Sequence, residues 1–433
     1  MEAPTEREEK KPKWLRRLEQ ESWQAELVIS GVAIFGSLQL PGWINGGIGF
    51  AISHFSQEYL DFLRFVFTYA LVGSQLLIFN FILHFSMRTL WIGMVGLASV
   101  FPAGLNPETD KFSQDYFSKL KRLFPDINAF NRRLDDQCST IFAIAAITVL
   151  SMASISIFLL GAMGIGHLAH KAYPAWPFPY YVYTIMAVFL AVSLAQGMLS
   201  HKAIREKEWV KRVHFPVFKG TSILLFNLFF KPANYIFLTF YTNSGQGRFW
   251  GAYIVYVFIL VFASANVFLS SDIMYMDEDF RHSRQTRTDR LYAYSYDNLR
   301  AESAFIPFAS LEADVVSDGQ LLAFVPVPEY EEKGIRAFCG SYEGPDSPDE
   351  RRQFRWDCLK RYYHFFVNDS LYSDVALFSY THPGSGQEGI RVYLPTAAFR
   401  EGENLFRIER QSPLPADSTG RSVTIPFQFY PKR

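Results

Sequence analysis

The sequence predicts an α-helical polytopic membrane domain of about six transmembrane helices, followed by an all-β sandwich- or barrel-like extramembrane domain. Two patterns predict this fold class: long apolar runs fill residues 23–269, and short apolar runs separated by turn residues fill the last third of the chain. The composition agrees, because 49% of the 433 residues are hydrophobic and only 19% are charged. Ordinary soluble domains carry about 25% charged residues.

Six apolar runs predict six membrane-spanning helices. About 20 apolar residues of helix are needed to cross a bilayer core of about 30 Å. Lipid offers no hydrogen bonds, so the backbone groups must bond to one another within the helix. The runs have no polar face, which disfavours a soluble protein with large buried helices. They are residues 23–40, 62–85, 138–169, 181–199, 222–241 and 249–269.

The basic residues between the runs predict the orientation. Eighteen Lys and Arg residues lie in the stretches 1–22, 104–137 and 200–221. Only two lie in the alternate stretches 41–61, 170–180 and 242–248. Because cytoplasmic loops are enriched in Lys and Arg, the N-terminus is expected in the cytoplasm. Six crossings would return the C-terminus to the cytoplasm, and four arginines that follow the sixth run agree with this.

Two segments beside the runs are not expected to cross. Residues 1–22 carry charges of both signs and are too polar for a cleavable signal peptide, so they are expected to form an amphipathic cytosolic segment. Residues 91–102 are apolar but only a dozen long. A segment of that length is more often interfacial or re-entrant than spanning.

The C-terminal region changes its hydrophobic period. Residues 270–303 are polar and predict a juxtamembrane linker or an extension of the sixth helix. Residues 304–433 contain short apolar runs separated by Gly, Pro, Asn and Asp, which predicts an antiparallel β-domain in the cytosol. Residues 359–367 are one of its candidate strands. Asp318-Gly319 is typical of a hairpin turn.

Two of the three cysteines, Cys339 and Cys358, fall in this β-domain. Their spacing would allow a disulfide in a secreted domain. A cytosolic location is reducing, so the sequence favours free thiols there. The third cysteine, Cys138, starts the third run and is expected to be a packing residue.

Lys231 is the leading candidate for a transport or cavity residue. It lies midway along the fifth run, precedes Pro232, and is flanked by Asn227 and Asn234. Charged residues are costly in lipid, and proline removes a backbone hydrogen bond, so a broken helix that carries an ion or substrate site is one interpretation. The alternative is a structural lysine that faces backbone carbonyls.

Three further candidates lie near the cytoplasmic ends of the first two runs. Glu26 is one turn inside the first run, and His84 and Arg88 are four residues apart in the second, on one helix face. A Glu26–Arg88 ion pair is geometrically allowed. Such a pair is more often structural than functional, and long basic side chains at a membrane interface commonly extend toward water.

Several function classes are disfavoured. The net charge of zero excludes a nucleic-acid binder that depends on bulk charge. The sequence contains no phosphate-binding, dinucleotide-binding, zinc-protease or serine-hydrolase signature, so no catalytic residue, metal or cofactor is predicted.

Two functions stay open. The first is a channel- or transporter-like passage that a cytosolic β-domain regulates. The second is a non-transporting scaffold or assembly and signalling protein whose β-domain binds a protein partner. The lipid bilayer is the expected environment in both cases. A cavity that reaches Lys231 would favour the passage, whereas an exposed strand edge would favour the scaffold.

Overall fold

The computed structural model describes residues 13–106, 108–124, 126–201, 203–225, 227–243, 246–277, 280, 291–301, 304–317, 319–344, 347–373, 375–411 and 422–431. The chain forms two compact units. The first comprises Met1–Gly42, Tyr69–Ala162 and Met186–Ala265. The second comprises Trp43–Thr68, Met163–Ile185 and Asn266–Arg433.

The N-terminal part of the described chain is helical. Four helices, α1, α2, α4 and α5, contain segments long and apolar enough to cross a membrane, which is consistent with an integral membrane protein. A shorter apolar stretch, Ile254–Val267, lies within α8. The helices are α1 (Lys13–His54), α2 (Gln57–Val100), α3 (Gln114–Leu123), α4 (Ile127–Ala172), α5 (Phe178–Leu199), α6 (Glu208–Leu224), α7 (Asn227–Asn243) and α8 (Gln246–Ser270).

Three helices are much longer than the apolar runs that predict them. α1, α2 and α4 contain 42, 44 and 46 residues. At about 1.5 Å per residue, each exceeds the roughly 30 Å hydrocarbon core. The prediction of a separate interfacial or re-entrant segment at 91–102 is therefore wrong, because α2 continues without a break to Val100. Arg88, which precedes this segment, is a good helix former and does not end the helix.

The fifth apolar run, residues 222–241, is not one helix. The chain leaves α6 after Leu224 and begins α7 at Asn227, so the break precedes the expected one at Pro232, which lies inside α7. The rings of Phe218 and Phe230 lie 6.5 Å apart between centroids. Twelve residues of straight helix would separate them by about 18 Å along the axis, so the chain turns sharply between α6 and α7.

The described part of the C-terminal domain contains two sheets. The strands are β1 (Ser310–Leu311), β2 (Val315–Val316), β3 (Gln320–Pro326), β4 (Tyr363–Val367), β5 (Ser370–Tyr372), β6 (Ala376–Thr381), β7 (Glu388–Pro395), β8 (Gly402–Arg410) and β9 (Ser422–Phe429). One sheet has the order β1-β3-β7-β6, and the other has the order β2-β9-β8-β4-β5. The strand pairs are antiparallel, apart from the short parallel pair of β2 with β9.

The two sheets share one hydrophobic core. Along β4, β7 and β8, every second side chain is buried, as the period of two in a strand predicts. Phe365 of β4 and Phe406 of β8 are fully buried, and their rings stack with centroids 6.3 Å apart. Val325 of β3 and Val392 of β7 belong to the same buried cluster.

Two helices interrupt the strands, so the domain is not all-β as predicted. They are α9 (Glu329–Cys339) and α10 (Pro348–Tyr362), and both lie between β3 and β4. The candidate strand at 359–367 therefore begins only at Tyr363, because residues before it continue α10. Helix-capping chemistry accounts for this: Pro348 stands at the helix start, and Asp349 and Glu350 occupy its first turn.

A disulfide joins the ends of these two helices. Cys339 at the end of α9 bonds to Cys358 of α10, with their Cα atoms 5.8 Å apart. The prediction of free thiols is therefore wrong. It depended on a reducing location that followed from counting six crossings, and the local geometry is that of a bonded pair.

Candidate functional site

A buried polar cluster lies on α2 in the helical bundle. His84 and Arg88 are one helical turn apart, and their exposed fractions are 0% and 2%. We call the group formed by Ser30, His84, Arg88, Trp91 and Asp135 the His84–Arg88 cluster. Ionisable side chains are rare within membrane helices because lipid does not solvate them, so this cluster is the candidate site of the bundle.

His84 bonds to the first helix. Its Nδ1 lies 2.8 Å from the hydroxyl oxygen of Ser30 on α1, which is itself fully buried. Its ring lies 5.2 Å from that of Phe142 on α4. Because an imidazole nitrogen either donates or accepts, the Ser30 hydroxyl fixes the ring orientation in either tautomer.

Arg88 bonds to the fourth helix. Its Nη1 donates to Oδ1 of Asp135 at 2.5 Å, and its guanidinium carbon lies 4.5 Å from the ring centroid of Trp91. The Asp135 side chain is 49% exposed, so the pair extends from the bundle interior to its surface. A carboxylate and an aromatic face are the two groups that best stabilise a guanidinium taken out of water.

The arrangement ties three helices together through charged and polar atoms. The His84 ring is the group in the cluster whose nitrogen can either donate or accept a hydrogen bond, and it bonds to Ser30. The ion pair can hold the last third of α2 and the start of α4 in register. Both are chemical capacities of the geometry, and neither resembles a nucleophilic or hydrolytic site.

The structure places the other predicted site residues elsewhere. The Lys231 side chain is exposed on α7. Asn234 donates from Nδ2 to the carbonyl oxygen of Phe230 at 3.0 Å, within its own helix. The side chains of Asn227 and Glu26 lie outside the described side chains, so the Glu26–Arg88 pair stays a prediction. Within the described residues, no bond joins Lys231 or Asn234 to the His84–Arg88 cluster.

Sequence reasoning missed Ser30, Trp91 and Asp135 as members of the cluster. Asp135 lies in a charged stretch that the hydropathy pattern assigns to a loop, whereas α4 already begins at Ile127. A helical extension of the third run would have placed Asp135 near Arg88. Ser30 carries no sequence signal, because serine is common in membrane helices.

A second polar contact connects α2, α4 and α8. The hydroxyl oxygen of Tyr256 on α8 lies 2.9 Å from Thr148 Oγ1 on α4. The Asn80 amide on α2 donates to the same hydroxyl oxygen at 3.4 Å. Such hydrogen bonds between membrane helices contribute about 1 kcal/mol or less each. This contact therefore serves helix packing.

The C-terminal domain contains a largely buried Tyr–Glu–Arg group. Glu331 of α9 accepts from the Tyr363 hydroxyl at 2.6 Å and from Arg410 Nε at 2.5 Å. Burial raises the pKa of Tyr363 well above its ordinary value, and the neighbouring Glu331 carboxylate raises it further. The group fastens α9 to strands β4 and β8.

A second carboxylate in this domain gathers three partners. Asp297 accepts from Arg300 Nη2 at 2.7 Å and from the Ser310 hydroxyl, and its Oδ2 lies 3.5 Å from His382 Nε2. The side chains of Arg300 and His382 are 4% and 9% exposed. The Ser310 hydroxyl bonds to the aspartate rather than to the histidine, so this is not the order of a catalytic triad.

The strand β6 presents an aromatic surface at the edge of its sheet. Phe378 is 57% exposed, and its ring lies 5.6 Å from that of Tyr393. The Arg391 guanidinium carbon lies 4.8 Å from the ring centroid of Tyr380. We call these four residues the β6 patch. Among the described residues, β7 is the strand that pairs with β6, so the other side of β6 has unpaired backbone groups.

Among the described residues, no group of three His, Cys, Asp or Glu side chains is arranged to hold a metal ion. Comparisons with known proteins found no match to this chain among protein families, curated proteins or solved structures.

Proposed function

We propose that the chain is a multi-pass membrane protein that does not itself transport, and whose sandwich-like extramembrane domain binds a protein partner at the β6 patch. The observation that carries this proposal is the edge strand β6 with Phe378 exposed beside it. An extended segment of a partner can add to such an edge through main-chain hydrogen bonds, while an aromatic side chain supplies contact area.

The position of Lys231 supports the non-transporting function over the passage. A passage needs its polar groups to face a shared interior, but Lys231 is exposed and Asn234 bonds within its own helix. Two polar groups that do face neighbouring helices, Tyr256 and Thr148, bond to each other. Bonded groups of this kind are typical of helix packing.

A site-specific photo-crosslinker tests the proposal. The full chain is expressed with the crosslinking amino acid in place of Phe378, and in a matched protein in place of Leu371, which is 52% exposed on the edge strand of the other sheet. We expect a discrete protein adduct from position 378 and none from position 371. Equal adducts at both positions, or none at 378, would contradict partner binding at this edge.

A proton or ion passage is the second candidate, favoured by the buried His84 beside the Arg88–Asp135 pair, in which Asp135 is half-exposed. Chains of ionisable groups within a membrane commonly mark proton paths. Reconstituted vesicles distinguish the two functions. Flux that exceeds that of empty vesicles, and that His84→Asn abolishes while Asp136→Asn does not, would establish the passage and overturn the non-transporting proposal.

A further inference from the structure

The direction of each helix follows from its contacts along α2. We define the basic side as the side of the membrane that holds the stretch 104–137, which follows the end of α2. Near the start of α2, the Tyr59 hydroxyl lies 2.8 Å from His167 Nδ1 on α4. Near its end, Arg88 pairs with Asp135 of α4. Because His167 contacts the start of α2 and Asp135 contacts a residue near its end, α4 runs antiparallel to α2, away from the basic side.

The same comparison gives the direction of α8. At the start of α2, Gln57 Nε2 donates to the carbonyl oxygen of Met276 at 3.1 Å, just after α8 ends. Further along α2, Asn80 bonds to Tyr256. Residue numbers on α8 fall as those on α2 rise, so α8 also runs antiparallel to α2. Its first residue, Gln246, precedes Tyr256 by ten residues, which is about 15 Å of helix toward the basic side.

The chain therefore enters α6 and leaves α7 on the basic side. α5 starts at the opposite side, where Phe178 stacks with Tyr59 at 4.1 Å, and it ends on the basic side at Leu199. The next helix passes back along the end of α5: His214 Nε2 lies 3.2 Å from the Ser200 hydroxyl, and Thr221 donates to Gln196 at 3.0 Å. Helices of 17 residues that are separated by a sharp turn do not add a crossing.

We infer that the chain crosses the membrane five times, through α1, α2, α4, α5 and α8, and that its C-terminal domain lies opposite the basic side, in an oxidising compartment. With five crossings, the Lys and Arg residues are divided more unequally between the two sides of the membrane than with six. Lys231 and Arg248 join the basic side, so its stretches 1–22, 104–137 and 200–248 hold twenty Lys and Arg residues, whereas the opposite stretches 41–61 and 170–180 hold only Lys171. The enrichment of Lys and Arg in cytoplasmic segments holds mainly for short loops. The four arginines after α8 precede a folded domain, so they do not count against this orientation.

The disulfide between Cys339 and Cys358 supports this location independently. Disulfides persist in extracytoplasmic compartments and are rare in a reducing cytoplasm. Formation of the bond removes two electrons and two protons from the two thiols, which an oxidised dithiol carrier of that compartment accepts. Cys358 is fully buried, so the bond is an integral part of the domain.

Labelling of an introduced cysteine in intact cells tests which side of the membrane holds the C-terminal domain. The full chain carries Cys138→Ser together with either Ser370→Cys, an exposed position of β5 away from the β6 patch, or Lys119→Cys, whose side chain is 70% exposed in α3. We expect a small membrane-impermeant maleimide to label Ser370→Cys in intact cells, and to label Lys119→Cys only after the membrane is permeabilised. Any other pattern overturns the inference.

The wild-type chain provides a second measurement that needs no variant. Cells are denatured in acid, and a polymer-tagged maleimide then counts the thiols. We expect one addition per chain without reductant, at Cys138, and three after reduction. Three additions without reductant would overturn the assignment of an oxidising compartment.

Discussion

Arg88 of α2 donates to Asp135 of α4 at 2.5 Å, while the Arg88 side chain is 2% exposed and that of Asp135 is 49% exposed. The ion pair thus joins a cation inside the bundle to a carboxylate that water still reaches. Burying a guanidinium is tolerable only where such a partner accepts its hydrogen bonds. The pair is therefore expected to contribute to the stability of the bundle.

Asp135→Asn should destabilise the helical bundle by about 1.5–3 kcal/mol, the usual contribution of a hydrogen bond to a charged group. The measurement is the thermal unfolding of the full chain in detergent. Asp136→Asn is the matched control, because Asp136 is an exposed neighbour that undergoes the same change of charge. Equal effects of the two variants would show that the Arg88–Asp135 bond does not matter.

Tyr363→Phe should destabilise the C-terminal domain by about 1–3 kcal/mol, because it leaves a buried Glu331 with one hydrogen bond fewer. Tyr342→Phe is the control, since Tyr342 also donates to a glutamate, Glu350, but at the surface. We expect no measurable change from the control. Denaturant unfolding followed by circular dichroism compares the two, and a similar loss in both variants would contradict the role of burial.

Alkaline pH should unfold the C-terminal domain. Burial raises the pKa of Tyr296 and Tyr363 above the ordinary value of about 10. In the unfolded chain these phenols ionise near pH 10, whereas in the fold they stay protonated. Their contribution to stability is therefore complete below about pH 10 and is lost as the pH rises toward their folded pKa values.

Phenolate absorbance and circular dichroism, followed together against pH, check this expectation. Two phenols should ionise only as the sheets unfold. The double variant Tyr296→Phe and Tyr363→Phe should lose stability less steeply above pH 10. Complete tyrosine ionisation with the sheet signal intact would refute the prediction.

Gly389→Ala should destabilise the sheet that contains β6 by about 1–3 kcal/mol or more. A Cβ atom at Gly389 would overlap the carbonyl oxygen of Val325 and come within 2.8 Å of the Phe324 ring. The Val325 backbone is held in β3 and cannot shift away from the added Cβ atom as a flexible side chain could. Gly319→Ala is the control, because nothing lies within 4 Å of a Cβ atom added there. Equal stability of both variants, measured by denaturant unfolding, would be inconsistent with this packing.

Removal of the disulfide should cost the domain about 2–4 kcal/mol. The variant replaces both Cys339 and Cys358 by Ser, so that no single thiol remains to form other bonds. Reductant should lower the unfolding midpoint of the wild-type chain and leave that of the variant unchanged. A wild-type midpoint that does not respond to reductant would contradict the prediction.

The apolar runs predict where the chain forms long apolar helices but not where those helices end. Hydropathy falls at Arg88, yet backbone hydrogen bonding continues through it to Val100. The turn between α6 and α7 has no local signal, because Leu225 is a good helix former, whereas Pro232 lies within a helix. Under the inferred five crossings, this turn decides the compartment expected for every later residue.

The members of the candidate site were only partly predictable. His84 and Arg88 lie on one face of one helix, which spacing alone reveals. Their partners, Ser30 and Asp135, are 54 and 47 residues away, so pairing depends on how the helices pack. The same holds for Cys339 and Cys358, whose spacing permits a bond that only the fold of α9 and α10 brings about.

The covalent link between α9 and α10 frees the segment that joins them. The disulfide holds the end of α9 against α10, and the Glu331 group fastens the other end of α9 to the sheets. The contact between these helices does not depend on residues 340–344 alone, and Gly340 and Gly344 are exposed. An epitope or a fluorogenic peptide inserted after Gly344 would report on the native protein, in living cells, without disturbing its core.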